Sequence, residues 1–110
     1  MEFWGEEVKA GVPTKVKPHA GCLLHLSQAV LGEAKKDKAS EPVLLSVKID
    51  GKKFVIATLK SDSIPQWSFD LVFPKEFELS HNWKHGSVYF TGYLSDAVDE
   101  PYPFLYFISL

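Results

Sequence analysis

The sequence predicts an all-β domain, either a sandwich or a small barrel. Three observations carry that expectation. Aromatic side chains make up 14% of the 110 residues, with eight Phe and three Trp, a composition that suits half-buried pleated surfaces better than helices. Apolar and polar residues alternate with period two from Gly21 onward, and no window sustains a helical period. Turn residues punctuate short runs at Gly32, Pro42, Asp50-Gly51, Ser61 to Pro65, Pro74 and Gly86. Short strands separated by turns in a chain of this size indicate a sandwich or barrel. One domain is expected, able to bury about 65% of the surface its unfolded chain exposes.

Two large aromatics, Phe3 and Trp4, stand at the start of the chain. An N-terminal strand paired into a sheet would hold both in the core. Cys22 to Leu31 is an apolar run with polar interruptions, ended by Gly32. Glu33 to Glu41 (EAKKDKASE) reads as a polar loop of mixed sign. After Pro42, Val43, Leu45, Val47 and Ile49 alternate with Leu44, Ser46 and Lys48. Asp50-Gly51 then separates that run from Lys52 to Leu59. Asp-Gly between two apolar runs is a strong hairpin signal, because both central residues of the tight turn need positive φ. Trp67, Phe69, Leu71 and Phe73 give the next strand an aromatic face, opposite Gln66, Ser68 and Asp70. Phe77 to His81 reads as a short strand or turn. Ser87 to Leu94 is the last clear strand, with Val88, Phe90 and Leu94 on one face.

Charge and cysteine content narrow the chemistry. The formal net charge is -2, and all 12 basic residues are lysine. Without arginine, bidentate readout of guanine or phosphate is not expected, so a directly bound, sequence-specific nucleic acid is not among the expected partners. Cys22 is the single cysteine. It allows no internal disulfide and no Cys-rich zinc site, and reads as a small buried hydrophobe. The N-terminal residues lack a basic stretch followed by an apolar one, and no apolar run approaches the ~20 residues of a membrane span. The expectation is a reducing compartment, no signal peptide and no membrane partner.

An ordered set of segments goes further. Met1-Glu2-Phe3-Trp4-Gly5 is followed by His25-Leu26-Ser27-Gln28-Ala29 and Leu31-Gly32-Glu33. Ile64-Pro65-Gln66 and Asp70-Leu71-Val72-Phe73 come next. Lys75 to His81 (KEFELSH), Gly86 to Phe90 (GSVYF) and Gly92-Tyr93 complete the set. In this order over residues 1–95 the chain resembles the plant HD-tuin family, the plant-specific histone deacetylase-type proteins. The FWG opening alone is shared with plant nuclear immunophilins; the DLVF and KEFELSH segments favour the HD-tuins. The resemblance implies a nucleoplasmin-like domain over residues 1–95, an eight-stranded jelly-roll sandwich that assembles into a pentamer or tetramer. It implies a nuclear and nucleolar chromatin protein that binds histones, works with other chromatin repressors and represses transcription. Phe3, Trp4 and Gly5 would then lie at a subunit seam, with Trp4 buried. Residues 96–110 depart from the family, which continues into acidic tracts, whereas Pro101 to Leu110 is an apolar tail.

The resemblance also implies a candidate catalytic pair, His25 and Asp70, for histone lysine deacetylation. A histidine can act as general base with a carboxylate orienting it. Such a pair would need to lie within hydrogen-bond reach, and amide hydrolysis needs a further group to polarise the carbonyl. No clustered ligand set for a deacetylase zinc is legible, and no cofactor or metal is expected. The plain alternative makes His25 a satisfied strand residue and Asp70 a polar-face, turn or interface residue. His81 and His85 stand four apart, a metal-binding spacing on a helix, but Gly86 argues for a loop there. Lys35, Lys36, Lys38, Lys52 and Lys53 read as a solvated loop and turn, or else as a basic edge. Trp67 and Trp83 read as core or seam residues.

Overall fold

The strongest local signal forms as its sequence dictates. In this computed structural model, which describes residues 1–32 and 41–96, Asp50 takes φ 50° and Gly51 φ 81°. Both central turn residues are left-handed, the geometry whose twist matches the flanking strands. The strands it joins are β4 (Val43–Ile49) and β5 (Lys52–Leu59), preceded by β1 (Glu2–Val8), β2 (Thr14–Val16) and β3 (Cys22–Leu31). β6 (Gln66–Phe73), β7 (Phe77–His81) and β8 (Val88–Asp96) follow. These eight strands form two antiparallel four-stranded sheets, ordered β1-β8-β3-β6 and β2-β7-β4-β5. No helix occurs among the described residues. Glu33 to Ser40 and residues 97–110, with Lys35, Lys36, Lys38 and the whole apolar tail, lie outside the described residues.

The period-two pattern places alternate residues between the sheets. Leu24, Leu26, Ala29 and Leu31 of β3 face Val43, Leu45 and Val47 of β4 across a core that also holds Phe73, Leu79, Val88 and Phe90. Each fully buried Val, Leu or Phe contributes about 1.5–3 kcal/mol relative to exposure. Trp83 joins this core, Trp4 and Cys22 pack against its margin, and Trp67 is 47% exposed at the rim. Phe3 does not join the core: it is 75% exposed. The reason is parity. β1 pairs with β8 so that Trp4 lies opposite Gly92 and Phe3 opposite Tyr93, which sends Trp4 inward and Phe3 outward.

β3 carries a bulge between Leu26 and Gln28 in both of its ladders. Ser27 is the extra residue, and it lets Leu26 and Ala29 both face the core. Gly92 lies opposite Leu26 beside this bulge. A Cβ at Gly92 would stand 1.9 Å from the His25 carbonyl oxygen, so only glycine fits. β2 has no counterpart in the sequence reading. It is three residues long, between Pro13 and Pro18, and pairs with β7 through Thr14–Leu79, Lys15–Glu78 and Val16–Phe77.

Candidate functional site

The outer face of the β1-β8-β3-β6 sheet is built by the residues that alternate with the core. Register places Phe3 opposite Tyr93, Tyr93 opposite His25, and His25 opposite Val72. These four side chains form one transverse row over all four strands. The His25 and Tyr93 rings stack at 4.3 Å between centroids and 8° between planes. His25 Nε2 shares a hydrogen bond of 2.8 Å with Ser95 Oγ. Leu23 and Val72 are buried as well, and His25 itself is only 6% exposed. Its satisfaction comes from a neighbouring strand's hydroxyl, a pairing β8 supplies from 70 residues away.

Asp70 lies on this same outer face of β6, two residues before Val72, the direct partner of His25. The carboxylate and the imidazole are thus diagonal neighbours, whose Cβ atoms stand roughly 7 Å apart on such a face. Asp70 is exposed. The two sequence-predicted catalytic residues share a face and adjacent strands, and are not joined by a hydrogen bond.

At the other end of the row, the first strand explains its own composition. Phe3 and Gly5 point outward together. The Phe3 ring lies back along the strand, its Cε2 and Cζ 3.3 Å from where a Gly5 Cβ would be. Gly5 therefore acts as the shelf for that ring. A shallow groove of about 390 Å³ runs beside it, lined by Phe3, Gly5, Glu7, Tyr89 and Thr91. Tyr89 is 45% exposed there. Phe3 and Tyr89 give this edge an apolar surface, next to the buried row beneath Tyr93.

Two of the other histidines, His81 and His85, serve the frame. His81 ends β7, where its Nδ1 accepts the Trp83 N–H at 3.1 Å, so its Nε2–H donates to the Val8 carbonyl at 2.8 Å. Burial holds its pKa below the ordinary 6.5, opposed in part by the Val8 bond. His85 lies 3.5 Å from a Glu41 carboxylate oxygen. The spacing of four does not fall on a helix, and among the described residues no group of three or more His, Cys, Asp or Glu side chains could hold a metal ion.

Comparison with known proteins fits this architecture. A family model of the nucleoplasmin-like domain matches residues 3–95. The chain is 67% identical over 93 residues to histone deacetylase HDT1 of Solanum chacoense, covering 84% of this chain and 34% of that protein. It is 54% identical over 99 residues to histone deacetylase HDT1 of Arabidopsis thaliana, covering 90% and 40% respectively. The chain thus spans about a third of the length of the curated relatives it matches. Among solved structures, the Drosophila NLP-core superposes with a TM-score of 0.74 at 24% identity, over 87% of this chain and all of that one; its crystal structure provides insight into pentamer formation and histone binding. The nucleoplasmin-like N-terminal domain of Drosophila FKBP39 superposes at 0.64 and 24% identity, over 86% and 89%.

Proposed function

The chain belongs to the nucleoplasmin-like domain family, and from that premise we propose that it is an oligomeric histone-binding module of a plant chromatin repressor of the HD-tuin type. Its copies assemble into a pentamer or tetramer, in the nucleus and its nucleolus, and work there with other chromatin repressors. The observation that carries this reading is the outward aromatic edge of the β1-β8-β3-β6 sheet. Phe3, held on the Gly5 shelf beside Tyr89, presents apolar surface that a second copy would cover. The match over residues 3–95 and the pentamer described for NLP-core support the second copy as occupant.

Light-scattering mass of the full chain is the test. A mass of four or five chains, with core histones retained on a column of the protein, supports the reading. A monomer that ignores histones overturns it.

A second reading is favoured by the placement of His25 and Asp70 on one face of adjacent strands. In it, substrate binding draws Asp70 toward the imidazole. His25 takes a proton from the water that attacks an acetyl-lysine carbonyl, the C–N bond breaks to release acetate, and the imidazolium, stabilised by Asp70, returns the proton to the lysine amine. Its test is acetate release from an acetylated histone peptide by the purified chain. Release that survives His25→Ala and Asp70→Asn would sink this reading.

A further inference from the structure

Charge is divided between the two sheets. The strands of the β1-β8-β3-β6 sheet carry five carboxylates, Glu2, Glu6, Glu7, Asp70 and Asp96, and no lysine. The strands of the β2-β7-β4-β5 sheet carry four lysines and one carboxylate. Register turns three of those lysines into a line. Lys15 pairs with Glu78, Glu78 with Lys48, and Lys48 with Lys53. The row crosses all four strands on the outer face, and with strands about 4.8 Å apart it is about 14 Å long.

Two features mark this row as unfinished within the chain. Lys48 and Lys53 are direct cross-strand partners, and like charges placed so are destabilising. Among the described residues, none of Lys15, Lys48, Lys53 and Glu78 makes an ion pair; the pairs present are Lys75 with Asp50 and His85 with Glu41. The surface is also concave. A groove of about 440 Å³ is lined by Gly11, Val12, Lys48, Lys53, Ser80 and His81. A second, of about 370 Å³, continues it past Lys15 and shares Lys48, Gly51 and Glu78 with the first; its far wall carries Glu76 and the paired Lys75 and Asp50. Gly11 and Gly51 take φ 73° and 81° and have open space where a Cβ would be, so no side chain fills the walls there.

We propose that this lysine row is a docking groove for an acidic peptide in extended conformation. A strand rises about 3.3 Å per residue, so four or five residues span the row. Carboxylates of the peptide meet Lys15 on one side and Lys48 with Lys53 on the other. Glu78, between them, accepts a backbone N–H of the peptide. That same carboxylate argues against nucleic acid, whose unbroken phosphate charge it repels. Lysine ammoniums also act as point charges, without the planar fork of arginine. The groove lies on the face opposite Phe3 and Tyr89, so the inference does not rest on the assembly reading.

The test is fluorescence anisotropy of a short labelled peptide of alternating Glu and Ser, titrated with the full chain, alongside amide NMR shifts. The expected result is binding that weakens as salt rises, since exposed charges are screened. Shifts should concentrate on β2, β7, β4 and β5. Lys48→Gln with Lys53→Gln should weaken binding about tenfold or more, a loss of about 1.4 kcal/mol, while Phe3→Ser and Asp70→Asn leave it intact. Absence of binding, binding undiminished in the double variant, or shifts confined to the other sheet would overturn the proposal. So would a single-stranded DNA of equal charge binding as tightly as the peptide.

Discussion

The two outer faces of this sandwich obey the same alternation and end in opposite chemistry. On the β1-β8-β3-β6 side the central row is Phe3, Tyr93, His25 and Val72, and His25 is nearly inaccessible. On the other side the row is Lys15, Glu78, Lys48 and Lys53, all charged. The difference teaches that period two separates inside from outside and says nothing about which outside is meant to be covered. That second distinction is set by register, which decides what stands beside what across strands far apart in sequence.

The comparison can be broken most severely at Gly92. Gly92→Ala should destabilise the fold by about 3 kcal/mol or more, because the new Cβ meets the His25 carbonyl and the backbone must move. Gly51→Ala, at the hairpin tip under the lysine row, should cost only about 1–2 kcal/mol for its left-handed backbone. Urea denaturation of both variants tests the ranking; equal losses would mean the bulge beside Gly92 relaxes freely.

The next effect separates assembly from folding. Phe3→Ser should lower the oligomeric mass at micromolar concentration, raising the dissociation constant at least about tenfold, while leaving the unfolding midpoint almost unchanged at a dilution where parent and variant are both monomeric. Val55→Ser, at a 57% exposed position on the lysine-bearing sheet, should alter neither. If both variants assemble like the parent, the aromatic face is not the seam.

A pH effect follows from His81. Its folded pKa lies below 6.5 while the unfolded chain titrates at the ordinary value, so the unfolded state binds more protons between the two. Its stabilising contribution is complete above pH 6.5 and is lost as pH falls through the folded pKa. A charged ring could no longer accept the Trp83 N–H. Thermal melts from neutral to mildly acidic pH should show a falling midpoint that His81→Gln flattens; an unchanged slope in that variant would assign the loss to other groups.

The smallest change is expected at Lys53. Lys53→Glu turns the like-charge pair with Lys48 into an opposite-charge pair and should raise stability in urea denaturation by a few tenths of a kcal/mol, up to about 1 kcal/mol. The same substitution should weaken docking of the acidic peptide, so stability and binding would move in opposite directions. A variant that loses both would show that Lys53 is a structural residue.

Much of this architecture is legible in local sequence pattern. The Asp50-Gly51 turn, the aromatic face of β6 and the inward set Val88, Phe90 and Leu94 follow from local pattern, and each forms as expected. β2 did not, because three residues between prolines give too short a pattern to read. Phe3 and Trp4 could not be told apart by composition; one slip of register would exchange them. The basic edge suggested by Lys52 and Lys53 takes a different form, with Lys53 aligned to Lys48 and Lys15 from separate strands. The contact of His25 with Tyr93 and Ser95 was equally beyond local reading, since it depends on strand order.

The anchoring of the first strand has a consequence in time. Among the described residues β1 pairs within its sheet with β8 alone, and its far end is fastened by His81 to Val8 and by Ser87 to Glu7, across 73 and 80 residues of sequence. At translation rates of about 5–20 residues per second, β1 waits on the order of 10 s for β8. During that interval the Phe-Trp pair has no native surface to cover it. The segment that completes the aromatic face is therefore made well before the strand that holds it, and a chaperone that recognises short aromatic stretches would meet it before β8 does.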